Sequence, residues 1–146
     1  MFQLREYQPS DAVEILSQAN EPGVELNDYT RRWAEKKALK GPAVTAVCDG
    51  RIIGCGGIEI LWPGFAEGWC LFVNDIDQYT NSVAKSAKRT LDKLIDEHNL
   101  HRVQAPMRAD FPAGIRFVQW LGFSQEARLR KYHPDKTDAL MFSRVR

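Results

Sequence analysis

Hydrophobic and polar residues alternate with a period of two over residues 2–7, which is the pattern of a half-buried β-strand. Short runs between turn signals predict further strands at residues 43–48, 51–61, 67–73, 102–107, 126–132 and 139–145. Asp49 and Gly50 separate the second strand from the third, and this pair is typical of a two-residue hairpin turn. The fourth strand is mostly apolar, which predicts that both of its faces are buried.

Helices are predicted between these strands, where apolar residues recur with a period near 3.6. They run from Asp11 to a stop at residues 21–23, from Asn27 or Asp28 to a stop at residues 41–42, over residues 82–99, and from Phe111 or Pro112 to Leu121. Asp11, with Glu14 three residues later, resembles a capping box, and Gly122 fits a left-handed cap after the last helix. The order β-α-α-β-β-β-α-β-α-β-β argues for one mixed sheet covered by helices.

Composition narrows the class of protein. The chain has 146 residues, of which 44% are hydrophobic and 27% are charged, so we expect a single domain over residues 1–146. The formal net charge of +1 gives no general attraction to nucleic acid or to anionic lipid. No apolar run reaches the roughly 20 residues of a membrane span. Neither nucleic acid nor a membrane is therefore expected as a partner.

The cysteines and histidines argue against a disulfide framework and against a metal site. Cys48, Cys55 and Cys70 are an odd number of thiols without Cys-x-x-Cys spacing, which predicts reduced cysteines in a cytoplasmic protein. His98 and His101 lie together at one predicted helix end, without a cluster of further ligands nearby. We therefore expect no bound metal.

The most specific motif lies near the end of the chain. Leu121, Gly122 and Phe123 turn from the last predicted helix into the last two strands, and Glu126 follows three residues later. Together with the order of elements, this pivot resembles the GNAT superfamily of N-acetyltransferases over essentially the whole chain. The resemblance implies an α/β (α+β) fold of the acyl-CoA N-acyltransferase type, in which helices flank a single mixed, largely antiparallel sheet.

The same resemblance implies a place for acetyl-CoA, in a V-shaped opening between the fourth and fifth strands. Leu71, Phe72 and Val73 would lie along its pantetheine arm. The family then opens its long helix with a glycine-rich loop for the pyrophosphate, because glycine lets the backbone approach and helix N-terminal amides attract anions. Gln78 matches the first position of that loop, whereas Asn81 and Val83 replace its glycines.

Thr80, Asn81 and Ser82 carry two interpretations. By resemblance they bind the cofactor together with Gln78, and Asn81 partly replaces a glycine because asparagine tolerates a left-handed backbone. By residue type alone they form an ordinary helix N-cap. Asp75 and Asp77 place negative charge beside the same segment.

Acetyl transfer to an amine needs a base that removes a proton from the ammonium group. Among the carboxylates expected near the centre of the sheet, the resemblance implies Glu67 as this base, because the fourth strand borders the opening. Glu59 is the second candidate. The alternative interpretation of Glu67 is an ordinary surface glutamate at the end of a hairpin.

The acid that protonates the departing thiolate is less well marked. In the family it is often a tyrosine on the last helix, but Phe117 or Val118 stands at that place here. Tyr79 is the substitute that remains, at the mouth of the opening. Tyr132 lies in the last hairpin, where we expect it to pack against its neighbours.

Two functions are consistent with these residues. The first is an acetyl-CoA-dependent N-acetyltransferase that acts on a small-molecule or protein amine by direct attack in a ternary complex. The second is a GNAT-like binding or assembly module without catalysis, for example a bacteriophage virion-associated protein. The missing glycines, the missing tyrosine and the two acidic residues Asp75 and Asp77 support the second. We expect the enzyme; the sequence specifies neither the acceptor nor the assembly, for which a homodimer is an open alternative.

Overall fold

A seven-stranded sheet forms the centre of the part of the chain that the structure describes. The computed structural model describes residues 1–18 and 26–146. The strands are β1 (Phe2–Glu6), β2 (Ala43–Cys48), β3 (Arg51–Trp62), β4 (Phe65–Phe72), β5 (Arg102–Arg108), β6 (Ser124–Leu129) and β7 (Ala139–Val145). They lie in the order β1-β2-β3-β4-β5-β7-β6, and every neighbouring pair is antiparallel except β4 with β5. The prediction of a mixed, largely antiparallel sheet is confirmed.

Helices cover both faces of this sheet. They are α1 (Pro9–Leu16), α2 (Asp28–Leu39), α3 (Thr80–Glu97) and α4 (Pro112–Trp120), with a one-turn 3₁₀ helix (Ile76–Tyr79) before α3. Alternate residues of a strand face opposite sides. In β3, Ile53 and Cys55 pack in a cluster with residues of α1 and α2, whereas Ile58 packs in a cluster with residues of α3 and α4. The core therefore forms two layers, one on each side of the sheet.

None of the helices in the described ranges combines the length and the apolar character that a membrane crossing requires.

Two predicted turns are confirmed by their backbone angles. Asp49 and Gly50 have φ angles of 50° and 81°, and the residues that flank them pair across the β2–β3 hairpin. Positive φ at both central residues is the mark of a type I′ turn, whose twist matches that of the flanking strands. Gly122, with a φ of 96°, follows α4 in the left-handed conformation expected of a helix cap.

The start of α1 differs from the prediction. The helix begins at Pro9 with Gln8 as its N-cap, so Asp11 is the third helical residue and not the cap. Its carboxylate accepts a hydrogen bond from the Gln8 backbone N–H at 2.9 Å and two from the Arg5 guanidinium at 2.8 and 2.9 Å. The Thr45 hydroxyl donates a further one at 2.6 Å. Asp11 is only 2% exposed, so this carboxylate connects β1 and β2 to α1 inside the core.

Strand β4 is less buried than its composition suggests. Only its first two residues, Phe65 and Ala66, are fully buried, and the rest of the strand is half-buried or exposed. The prediction of burial on both faces is therefore wrong. The apolar residues of β4 beyond Ala66 border an opening in the sheet, which sequence composition does not distinguish from a core.

Smaller differences concern the ends of elements. Helix α3 begins at Thr80, two residues before the predicted start, because the 3₁₀ turn leads directly into it. Strand β6 covers Ser124–Leu129 and not residues 126–132. The predicted stop of the first helix, at residues 21–23, lies outside the described residues.

Candidate active site

Strands β4 and β5 run parallel and separate after three residue pairs. The pairs are Phe65–Arg102, Ala66–Val103 and Glu67–Gln104. Beyond them, the β5-facing edge of residues 68–72 has no strand partner within residues 1–18 and 26–146. A Cβ atom placed on Gly68 would meet no atom closer than 3.9 Å apart from its chain neighbours. The V-shaped opening that the sequence analysis expects is therefore present.

Two aromatic rings meet beside this opening. Phe72 ends β4, Phe117 lies on α4, and their ring centres are 5.6 Å apart at an angle of 90°, the edge-to-face geometry that aromatic pairs favour. Val118 is 3% exposed and belongs to the core. Phe117, and not Val118, thus stands where the resemblance implies a tyrosine. A phenyl ring has no proton to donate, so this side of the opening is apolar.

Glu67 stands where the two strands separate. Its carboxylate accepts a hydrogen bond at 3.1 Å from Nε2 of Gln104, the residue it pairs with on β5. On β3 its partner is Glu59, and residues opposite each other in a sheet project to the same face. Lys37 of α2 reaches Glu59, which shows that this is the face covered by α2. No ion pair reaches Glu67 from the described part of the chain.

Glu59, by contrast, is neutralised by two lysines. Lys37 Nζ donates to Glu59 Oε2 at 2.7 Å, and Lys40 Nζ lies 3.2 Å from Oε1. The Lys37 and Glu59 side chains are 10% and 17% exposed, and Nζ of Lys37 lies 5.5 Å from the centre of the Trp33 ring and 5.9 Å from that of Trp69. The hydrogen bond from Lys37 lowers the pKa of the Glu59 carboxyl below its usual value. Glu59 is therefore occupied by cations of its own chain.

Tyr132 lies in the segment between β6 and β7. Its ring packs edge-to-face against that of His133, with the ring centres 5.1 Å apart, so the prediction that Tyr132 packs against its neighbours is confirmed. Burial raises the pKa of the Tyr132 hydroxyl, and electrostatic interaction with Glu67 and Tyr29 raises it further.

The start of α3 suits an anion. Its N-cap is Tyr79, whose side chain makes no capping hydrogen bond, and its first turn contains no acidic residue. The interpretation of Thr80, Asn81 and Ser82 as an ordinary side-chain cap is therefore wrong; the Thr80 hydroxyl instead donates to the Asp77 carbonyl at 2.9 Å. A helix N-terminus without a cap or a carboxylate leaves the positive end of the helix dipole available to a phosphate group.

Side-chain exposure around this helix start agrees with such a role. Gln78, Thr80, Asn81 and Ser82 are all exposed, whereas Val83 is 6% exposed and packs in the core with residues of α1 and α2. The Val83 side chain thus points away from the exposed surface. Valine in place of glycine at this position therefore adds no side-chain bulk where an anion would approach.

The predicted negative charge beside the helix start is partly compensated. The Arg51 guanidinium donates two hydrogen bonds to the Asp75 carboxylate, both at 2.8 Å, and these lower the pKa of Asp75. Asp77 is exposed. One of the two acidic residues is therefore held in an ion pair with β3.

Tyr79 and Glu67 are not brought together. The Tyr79 hydroxyl lies 3.4 Å from a guanidinium nitrogen of Arg51, at the start of β3. Glu59, which pairs with Glu67, lies eight residues further along β3, which is roughly 26 Å at 3.3 Å per residue. Tyr79 therefore belongs to the helix start, and the two residues predicted as catalytic lie at different ends of the opening.

The three residues predicted along the pantetheine arm divide into two groups. Leu71 and Phe72 lie half-buried on the part of β4 that has left β5. Val73 is 3% exposed, its N–H donates to the Ile53 carbonyl at 3.1 Å, and its carbonyl accepts from the Ile76 N–H at 3.2 Å. Val73 is thus a core residue whose backbone groups are already used.

Solved structures of acetyltransferases superimpose on nearly the whole chain. The ribosomal-protein-S18-alanine N-acetyltransferase from Escherichia coli does so with a TM-score of 0.75 at 17% identity, over 99% of this chain and 94% of its own. A variant of the spermidine N-acetyltransferase SpeG from Vibrio cholerae gives 0.75 at 16%, over 99% and 93%. An acetyltransferase of the GNAT family from Streptococcus pneumoniae gives 0.70 at 15%, over 99% of both chains. This chain has the GNAT fold. No protein-family model matches its sequence, and no curated protein does.

The GNAT fold of this chain connects the two parts of the site. Strand β4 leads from the separation point at Glu67 through Leu71 and Phe72 to the 3₁₀ turn, and from there to α3. An elongated ligand with an anionic group could therefore contact the unpaired edge of β4 and the start of α3 at once. Glu67 lies at the other end of that path, where a cationic amine would meet a carboxylate that has no ion-pair partner among the described residues.

Proposed function

We propose that this protein is an acetyl-CoA-dependent N-acetyltransferase, which transfers the acetyl group to an amine by direct attack in a ternary complex. The observation that carries the proposal is the separation of β4 from β5 directly after the Glu67–Gln104 pair, within a GNAT fold. The similar structures include N-acetyltransferases whose names give spermidine and the alanine of a ribosomal protein as acceptors. The acceptor of this protein is accordingly a small-molecule or protein amine.

The residues along the opening fit acetyl-CoA. The unpaired edge of β4 at Leu71 and Phe72 would hold the pantetheine arm. Gln78, Asn81 and Ser82, with the first backbone amides of α3, would hold the pyrophosphate. When bound, acetyl-CoA supplies the acetyl group as a thioester. The free thiols of Cys48 and Cys55 support a reducing, cytoplasmic location for this chemistry.

Glu67 is the base in this proposal. It takes a proton from the ammonium group of the acceptor, which frees the nitrogen lone pair for attack on the acetyl carbonyl. Gln104 holds the orientation of the carboxylate through its hydrogen bond. After attack the nitrogen releases its second proton to solvent, and the departing thiolate takes a proton from solvent because Phe117 offers none. Much of the acceleration comes from holding the amine beside the thioester.

Binding of acetyl-CoA tests the proposal directly. At a hundred times its Kd, a ligand that binds only the folded state adds about 2.7 kcal/mol to the free energy of unfolding. For a chain of this size, that corresponds to a rise in Tm of roughly 5–10 °C. Differential scanning fluorimetry with acetyl-CoA measures it, with ATP as a control ligand that has phosphates but no pantetheine arm. A panel of amines then reveals transfer by release of the CoA thiol. If millimolar acetyl-CoA leaves the Tm unchanged, the non-catalytic binding module becomes the better description.

A charge placed at the start of α3 should weaken cofactor binding. Asn81→Asp adds a carboxylate where the pyrophosphate would lie, and we expect the Kd for acetyl-CoA to rise about tenfold because like charges repel near a helix N-terminus. Isothermal titration calorimetry measures this constant. Gln3→Glu makes the same amide-to-carboxylate change on the exposed surface of β1 and should leave the Kd as it is. An equal Kd for Asn81→Asp and the unmodified protein would remove this helix start from the site.

A further inference from the structure

Two glutamates share one face of the sheet, but only Glu59 is held by lysines in the part of the chain that the structure describes. Glu59 and Glu67 pair directly across β3 and β4, so their Cβ atoms are about 5 Å apart. Within residues 1–18 and 26–146, Glu67 receives one neutral hydrogen bond, from Gln104. Glu59 holds Lys37 at 2.7 Å and Lys40 at 3.2 Å. The face therefore offers an incoming ligand one carboxylate.

The cation at Glu59 is fixed in place. The Lys37 ammonium group is enclosed by the carboxylate and by the rings of Trp33 and Trp69, within 6 Å of both ring centres, and cation–π contacts of this kind become stronger when they are removed from water. Lys37 as a whole is 9% exposed. A side chain that is buried, ion-paired and packed between two rings does not move aside at low cost. The Lys37 ammonium group is therefore a fixed part of the sheet face on which Glu59 and Glu67 lie.

The ammonium groups of polyamines are three or four carbons apart, a spacing that could span two carboxylates in this arrangement. A diamine bound with one nitrogen at Glu67 would direct its second ammonium group toward Glu59. That position is already taken by Lys37, and the exposed Lys40 adds a second positive charge beside it. Like charges at such distances repel. An amine with a single positive charge meets no such obstacle.

We propose that Lys37 determines acceptor specificity: it occupies the second cation position beside Glu59, so that the site selects amines with one positive charge and excludes polyamines. This inference rests on the proposed acetyltransferase function and narrows its substrate class. It separates this protein from the similar structure whose name gives spermidine as its acceptor. Lys37 acts here as a specificity-determining residue, and Glu67 contacts the amine.

Two acceptors of equal length test the inference. 1,4-Diaminobutane carries two charges at neutral pH, and 4-aminobutan-1-ol carries one. For the unmodified protein we expect kcat/KM to favour the amino alcohol by about tenfold or more. Lys37→Met removes the competing cation and leaves Glu59 with Lys40 alone, so the ratio should shift toward the diamine by about tenfold. Lys36→Met removes the same charge from an exposed position of α2 and should leave the ratio unchanged.

The outcomes separate the inference from the function on which it rests. Circular dichroism checks that each variant folds, and Lys37→Gln, which retains a polar group for Glu59, replaces Lys37→Met if that variant does not. A preference for the diamine in the unmodified protein, or an equal ratio in the Lys37 and Lys36 variants, overturns the inference. If no protein releases CoA with any amine, the transferase proposal fails. Calorimetric binding of the two amines to the unmodified and Lys37 proteins then still decides whether Lys37 excludes the second charge.

Discussion

Replacement of Glu67 by glutamine should lower kcat/KM for the amine acceptor about 100-fold at neutral pH. A positioned general base contributes about 100-fold to 10,000-fold to a reaction of this kind, and we take the lower end because proximity of the two substrates remains. Glutamine has the same shape and keeps a polar partner for Gln104, so the fold and the Kd for acetyl-CoA should not change. Release of the CoA thiol at saturating acetyl-CoA measures the effect.

The defect of Glu67→Gln should also depend on pH. Near the pKa of the acceptor amine, much of the acceptor is already deprotonated and needs no base, so the difference between Glu67→Gln and the unmodified protein should shrink as the pH rises. Glu97→Gln makes the same change on the exposed end of α3 and should behave like the unmodified protein at every pH. If Glu67→Gln keeps full kcat/KM at neutral pH, Glu67 is not the base and contributes only to the structure beside the opening.

Asp11→Ala should cost about 3 kcal/mol of unfolding free energy. Its buried carboxylate accepts hydrogen bonds from Arg5, Gln8 and Thr45, and removing one member of a buried charged network typically costs about 3–5 kcal/mol. We expect the lower end because Arg5 can turn to water, whereas the fully buried Thr45 hydroxyl loses its partner. For a chain of this length, the loss corresponds to a fall in Tm of roughly 10 °C. Urea denaturation and calorimetry measure both quantities.

The contribution of Asp11 should disappear in acid. Burial alone would raise the pKa of this carboxyl, but the hydrogen bonds from Arg5, Thr45 and Gln8 outweigh it and hold the pKa below its usual value. A group with a lowered pKa in the folded state stabilises the protein above the ordinary carboxyl pKa of about 4, and this contribution is lost as the pH falls through the folded value. The stability gap between Asp11→Ala and the unmodified protein should thus narrow below about pH 4. Glu14→Ala, on the exposed side of α1, should change stability little at any pH. Because alanine has the highest helix propensity, a loss of similar size for Glu14→Ala would show that the loss does not come from the buried hydrogen bonds of Asp11.

Local sequence patterns predict the helices, strands and turns of this protein well where interactions between residues close in the sequence determine them. The strand-like runs of β2 and β3, with Asp49 and Gly50 between them, define a hairpin because only residues that tolerate positive φ make its turn. The pivot Leu121-Gly122-Phe123 predicts the end of α4 for the same reason. The predictions are wrong where a residue forms hydrogen bonds with partners that are distant in the sequence. Asp11 looks like a cap from its neighbours, yet its position follows from Arg5 on β1 and Thr45 on β2.

Charges in the candidate site illustrate the same limit. In the sequence, Asp75 and Asp77 appear as two uncompensated acids beside a phosphate site, but Arg51 neutralises Asp75 from 24 positions away. Glu59 and Glu67 appear as equivalent candidates for the base. The fold separates them, because it places Lys37 and Lys40 on Glu59 and leaves Glu67 with Gln104.

The sequence by itself determined the order of strands and helices, the positions of the main turns and the resemblance to the GNAT superfamily, because these depend on periodicity and on backbone preferences within a few residues. Tertiary structure alone decided where β4 leaves β5, that Phe117 meets Phe72, and that Tyr79 meets Arg51 at the start of β3. The physical reason is that these relations depend on sheet register and on side chains brought together from distant segments. A carboxylate acquires its chemical role from the charges and burial around it, and folding supplies both.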